Sequence, residues 1–377
     1  MRRAISIFLF LILTMSLAGQ DFFRQDFNRK KTYILLANPT ESNLSTLNYL
    51  IRHRILRVNT SKVKFVGIYH ENQKYDFSKS KNFIEKQNLK NFHLHEVRGP
   101  LDMKNLFINN HLSPELQEIF KYSAGTVFFG GPDIPPGVYN QENTRSNVTD
   151  PDRHFFELTF LFHLIGGFQD ESFRPFLEDK PWYFITGFCL GLQTMNVAAG
   201  GTLIQDIPAE IFGAETPDAI VKAGRNNIHR NYWQELSDDS LLAGSNIHPI
   251  RFTDHPFFGK KVKVPKNLTP LIYSSHHQAI KDPGKGLAIT AVSTDEKIIE
   301  AIAHNRYPHV FSVQFHPEVP ALYEEMHKIK FHPDDIPRSY HEYIGKEGLY
   351  FHKQYWRYIS KVLKKAVRSD RSGHNNN

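Results

Sequence analysis

Cysteine is almost absent from this 377-residue chain, Cys189 being the only one. A single cysteine cannot form an internal disulfide, so the fold must stand on its packing. Long apolar runs are equally scarce. Beyond the N terminus, no stretch approaches the roughly 20 apolar residues that a membrane-spanning helix requires, so no stable membrane anchor is expected. No internal repeat is visible. A surplus of one charge is nearly missing too, because the formal net charge of +7 falls to +5 without Arg2 and Arg3. Most of what remains sits between Lys353 and Arg371. There Phe351, Tyr355, Ile359, Val362, Leu363 and Ala366 recur at helical spacing, which predicts an amphipathic helix with a solvated basic face. No basic–aromatic interleaving argues for nucleic acid. What the chain does have is 40% hydrophobic residues, enough to bury a large core in one enlarged domain or two small ones.

The first residues read as a leader. Arg2-Arg3 is a charged start, Ala4 to Met15 an apolar core too short to span a bilayer comfortably, and Ser16-Leu17-Ala18 a small-residue cleavage signal. Gln20 stands where a lipoprotein needs cysteine. Residues 1–19 are therefore expected to be a cleaved signal peptide. Export without disulfides points to a bacterial periplasm, while four Asn-x-Ser/Thr sites (Asn43, Asn59, Asn147, Asn267) keep a eukaryotic secretory origin open.

Cys189 lies in Gly187-Phe188-Cys189-Leu190-Gly191-Leu192-Gln193, directly after the apolar run Trp182 to Ile185. A strand running through a glycine-flanked turn into a helix holds one side chain up at the sheet's carboxyl edge. The helix amino end offers backbone N–H groups and partial positive charge, which suit a thiolate and an adjacent oxyanion. A buried, inert cysteine is the competing reading of this segment alone. A second element lies downstream, in Phe311-Ser312-Val313-Gln314-Phe315-His316-Pro317-Glu318. Val310 to Phe315 reads as a buried strand that Pro317 terminates. His316 then sits at a strand end, with Glu318 able to turn back toward its imidazole. Cys189, His316 and Glu318 thus fill the roles of nucleophile, base and orienting acid. Gly130-Gly131, after the strand around Val127, allows a loop whose N–H groups face a developing oxyanion, with the N–H of Leu190 as second donor. Gln193, one helical turn after Cys189, faces the same side and could contact a bound substrate. Adjacent His276 and His277 point to opposite faces of a strand and make poor joint metal ligands, so no metal is expected.

Together the Gly-x-Cys-x-Gly-x-Gln elbow and the His-Pro-Glu strand end resemble the class I glutamine amidotransferase superfamily. Phe129 to Pro136 with Tyr139, Asn196 to Asp206, Ser275 to Ile280, and Gly284 to Leu287 with Ile299 to Ile302 are similar to its γ-glutamyl hydrolase branch, peptidase C26. The likeness runs from about Tyr33 to Glu318. It implies Gly131 as an oxyanion donor, Gly130 beside it, and Ser275, His276 and His277 at the edge of the substrate pocket, one histidine packed into the fold. It also implies no cofactor and a small γ-glutamyl substrate; a homodimer stays open. Leu190 departs from the arginine that many members of this branch carry after the nucleophile, which leaves the substrate's identity open.

Strands at Thr32–Leu36, Val63–Ile68, Phe92–Val97 and Val127 alternate with helices at Leu44–Leu56, around Phe83–Lys86, at Pro114–Tyr122 and at Glu157–Ile165. Alternation predicts an α/β fold, a doubly wound, mostly parallel sheet with helices on both faces, flavodoxin-like as in the class I glutamine amidotransferases. One domain is expected over 20–368, with insertions at about 213–266 (hairpin-rich) and 319–348 (a lid or partner surface), and a disordered tail at 369–377. The function expected is an exported cysteine hydrolase that cleaves γ-glutamyl amides through a thioester. A glutaminase serving a synthetase and an idle binding protein are the alternatives.

Overall fold

In the computed structural model, residues 21–25, 27–28 and 30–374 are described. The expected leader and residues 375–377 lie outside them. Strand and helix alternate through the first half: β1 (Thr32–Ala37), α1 (Glu41–Arg52), β2 (Val63–His70), α2 (Ser78–Lys86), β3 (Phe92–Val97), α3 (Ser113–Lys121), β4 (Ser123–Phe128), α4 (Pro151–Ile165), β5 (Phe184–Gly187) and α5 (Leu190–Ala198). These five strands form one sheet in the order β3-β2-β1-β4-β5, with every neighbouring pair parallel. Every residue of β1 is buried, as a strand covered on both faces requires. Successive side chains leave a strand on opposite sides. Tyr33, Leu35 and Ala37 pack with Leu116 and Ile119 of α3 and Phe156 and Phe160 of α4. Ile34 and Leu36 pack with Leu44, Leu47 and Leu50 of α1 on the other face. This is the expected doubly wound, flavodoxin-like arrangement.

The second half differs from simple alternation. After β6 (Leu203–Ile204), α6 (Ile207–Phe212) and α7 (Pro217–Val221) come β7 (Asn246–Phe252), β8 (Leu271–Ser274), β9 (Ala279–Ile280), β10 (Leu287–Ser293), β11 (Ile299–His304), β12 (Phe311–Val313) and α8 (Tyr340–His374). A second sheet has the order β12-β11-β10-β7-β8 and is antiparallel throughout. β12 joins the two sheets. Parallel bridges pair Ile185 with Val310 and Phe188 with Val313, and the Cys189 N–H donates to the Val313 carbonyl at 3.0 Å.

The segment expected to be a hairpin-rich excursion, 213–266, instead supplies β7 to this second sheet. The 319–348 stretch packs against it: Ala243 and Ile247 share a small core with Leu322, Phe331 and Ile344, and Lys330 exchanges backbone hydrogen bonds with Leu241 and Ala243. α8 breaks at Gly345, whose φ of 61° ends one helical piece before the next begins. Its stripe from Phe351 to Ala366 is buried as expected, with Lys353, Arg357, Lys361, Lys364 and Lys365 exposed. The helix runs on to His374, through most of the stretch expected to be a disordered tail. No described helix is long and apolar enough to cross a membrane.

Candidate active site

Three strand ends meet at the carboxyl edge of the joined sheets, where doubly wound folds place their ligands. They are the loop after β4, the turn after β5 and the turn after β12. Cys189 occupies the position before α5 with φ 52° and ψ −107°, a conformation that L-residues rarely adopt and that stores strain at functional sites. The flanking glycines serve close approach. A Cβ on Gly187 would stand 2.5 Å from the Gly191 carbonyl carbon, and one on Gly191 would stand 2.5 Å from the Phe128 carbonyl oxygen. Only paired glycines let α5 start this near the strand.

His316 follows β12, and its N–H donates to the Tyr273 carbonyl at 3.0 Å. Its Nδ1 lies 2.7 Å from Glu318 Oε1, and its ring stands beside the Cys189 side chain, close enough for the two to interact electrostatically. Burial opposes charge on the imidazole, but Glu318 and Cys189 outweigh burial and hold it well above the usual histidine range. The turn that folds Glu318 back is pinned at the Pro317 carbonyl, which accepts from Trp356 Nε1 at 3.0 Å and from the Tyr323 hydroxyl at 2.6 Å. The expected trio of Cys189, His316 and Glu318 therefore meets.

Gly130 lies against it: a Cβ there would stand 2.8 Å from His316 Cε1 and 3.6 Å from Cys189 Cβ. Behind the loop, buried Arg153 donates to the Phe129 and Gly130 carbonyls at 3.1 and 3.0 Å and pairs with Glu157 at 2.9 Å. A Cβ on Gly131 would collide with this guanidinium. Because a trans peptide points its N–H opposite its carbonyl, Arg153 turns the Gly131 N–H away from itself. The Leu190 N–H, in the first turn of α5, has no intrahelical acceptor. Both donors named from the sequence are thus available at the loop and the helix start. Sequence reasoning started α4 at Glu157 and so missed Arg153. The Asp150 cap followed by Pro151 was the signal for an earlier start.

The expected substrate contacts are placed differently from one another. Gln193 is buried, and its amide donates to the Gln278 carbonyl at 3.2 Å and to Gln314 at 3.3 Å. Gln278 in turn donates to Ser146 and to the Gln205 carbonyl, and Gln205 accepts from the Thr144 and Arg145 N–H groups. This amide chain ties α5 to the 141–147 loop. Ser275 is exposed, in the stretch between β8 and β9. His276 is buried and His277 half-buried; both lie between β8 and β9 and not in the single strand expected, so the irregular stretch itself sends them to different partners. His277 is held by both ring nitrogens, Nδ1 at 3.1 Å from Asp206 and Nε2 at 3.0 Å from Asp133. Burial lowers its pKa, but hydrogen bonds to the two carboxylates dominate and raise it to about 9. The charged ring clamps the oxyanion loop to the start of α6.

A thiol with an imidazole and carboxylate in line, and backbone donors beside it, can perform nucleophilic acyl transfer. The sequence profile of peptidase C26 matches residues 65–318. The glutamine amidotransferase-like protein YvdE of Lactococcus lactis is 33% identical over 194 residues, covering 51% of this chain and 64% of that protein. The similarly named RP404 of Rickettsia prowazekii is 26% identical over 223 residues, covering 55% of this chain and 74% of that protein. The match thus spans less than two thirds of the Lactococcus relative's length.

Proposed function

The chain belongs to the peptidase C26 family, and we propose that it is an exported cysteine hydrolase of γ-glutamyl amide bonds. The observation that carries this reading is Cys189 in its strained turn, set beside the hydrogen-bonded His316–Glu318 pair. Cys189 Sγ attacks the γ-carbonyl carbon, and the oxyanion forms beside the Gly131 and Leu190 N–H groups. His316, already holding a proton, gives it to the leaving amine as the C–N bond breaks and a γ-glutamyl thioester remains. Water then loses a proton to His316 and attacks the thioester, the C–S bond breaks, and glutamate is released as Cys189 is freed and His316 again holds its proton. Glu318 keeps the imidazole oriented and its charge balanced throughout. Export rests on the leader-like sequence from Met1 to Gln20.

The names of the relatives favour a second reading, hydrolysis of free glutamine with ammonia passed to a partner. One panel separates the two. Released glutamate is measured for γ-glutamyl peptides, γ-glutamyl polyamines, folyl-polyglutamates and cell-wall γ-glutamyl links, beside free glutamine and α-linked dipeptides. The hydrolase reading expects turnover of at least one extended γ-glutamyl amide above glutamine. Preference for an α-linked dipeptide over every γ-linked compound would sink it, and turnover of glutamine alone would favour the second reading.

A further inference from the structure

Four side chains that this chemistry does not use converge in the interior of the second half. They come from four separate segments: His229 from the loop before β7, His248 on β7, His276 after β8 and Glu300 on β11. All four are buried, His248 and Glu300 completely. One ligand atom from each lies within 4.8 Å of every other. His229 Nδ1 is 3.1 Å and His248 Nε2 3.7 Å from Glu300 Oε1.

The hydrogen bonding of the group is one-sided. The His276 Nδ1 faces the Gln278 carbonyl at 2.8 Å, and the His248 Nδ1 faces the Pro249 carbonyl at 3.2 Å. A carbonyl only accepts, so each Nδ1 carries the proton and each Nε2 presents its lone pair to the centre of the cluster. Neither Nε2 has a hydrogen-bond partner, nor does either Glu300 oxygen or either ring nitrogen of His229. Although His229 and Glu300 approach to 3.1 Å, they are not aligned as donor and acceptor. Lone pairs and a carboxylate thus point at one another in a buried space. Buried polar atoms are rarely left this way, and a cation at the centre satisfies them all at once.

We infer that His229, His248, His276 and Glu300 form a buried binding site for a divalent late first-row metal ion, Zn²⁺ first among them. Neutral imidazoles and a carboxylate are the ligands such an ion takes, four in number when the site is structural. A tetrahedral ion with bonds of about 2 Å holds its ligand atoms roughly 3.3 Å apart, so the observed spacings need only small side-chain shifts to close on it. The backbone carbonyls that receive the outer N–H groups of His248 and His276 are the outer partners that fix metal-bound histidines. With all four positions filled by protein, the ion is a staple and not a reactant. It joins the 213–245 segment, β7 and β11 to the 275–278 turn, which also supplies the carbonyl that Gln193 binds. His276 and His277, unsuited to share one ion, serve different centres.

The test is metal analysis of the full chain purified after expression with zinc present. The expected result is about one equivalent of zinc per chain, retained in Cys189→Ala and lost in His248→Ala and Glu300→Gln. Should those variants fail to fold, parent protein unfolded in chelator and refolded with Co²⁺ provides a second readout. Visible absorption of tetrahedral cobalt without a sulfur-to-metal charge-transfer band supports the site. Protein that takes up neither zinc nor cobalt on refolding overturns the inference, leaving a proton-shared histidine–glutamate network. Metal that disappears with Cys189→Ala overturns it as well, by placing the ion on the thiol.

Discussion

His277→Gln separates the electrostatic part of one clamp from its shape. Both ring nitrogens of His277 are engaged, by Asp133 in the oxyanion loop and Asp206 at the start of α6. Its pKa is raised from 6.5 to about 9 because the two carboxylates outweigh burial. A raised folded-state pKa adds stability that is complete below the unfolded value and vanishes as pH rises through the folded one. The window is therefore from about pH 6.5 to about pH 9 and beyond. Taken at face value, that rise corresponds to about 3 kcal/mol. The ring keeps 21% side-chain exposure, so water screens part of this, and about 1–2 kcal/mol is the expected share. Glutamine can donate to one carboxylate while its oxygen faces the other, much as neutral histidine would. Urea unfolding of parent and variant should therefore differ by about 1–2 kcal/mol near pH 6 and converge near pH 10. A stability difference that stays constant from pH 6 to pH 10 would refute the charged clamp and leave only a packing role.

Two further outcomes follow from the active-site geometry. Cys189→Gly and Cys189→Ala should both abolish turnover, but the glycine variant should be at least as stable, because relief of about 1–3 kcal/mol of backbone strain at φ 52° exceeds the roughly 1 kcal/mol entropic cost of glycine; a glycine variant clearly less stable in urea than the alanine one would show that the turn is unstrained. Glu318→Gln should lower kcat/KM by roughly 10⁴-fold, less than the roughly 10⁶-fold loss for His316→Ala. Since Glu318 helps hold His316 protonated, the alkaline limb of its pH profile should also move to lower pH, and an unmoved limb would assign the orienting role to another group.

Much of the fold and of the site was legible in the residues alone. The alternation of strands at Thr32, Val63, Phe92 and Val127 with helical patterns pointed to a parallel sheet covered on both faces, because parallel neighbours need a crossover connection that lays a helix over the sheet. The paired glycines around Cys189 and the proline after His316 announced a nucleophile turn and a strand end, since each acts through its own backbone sterics. Local patterns carry no partner, however. That β12 docks beside β5, so that the Val313 carbonyl receives the Cys189 N–H, depends on pairing between strands more than a hundred residues apart in the chain. The same holds for Arg153 behind the oxyanion loop and for His229, His248, His276 and Glu300. Periodicity tells which face a side chain leaves from only inside a strand, and His276 and His277, expected in one strand, lie between β8 and β9, where it gives no direction. Only the packing of the second, antiparallel sheet decided what each of them meets, because burial and convergence are properties of the assembled layers and not of any one segment.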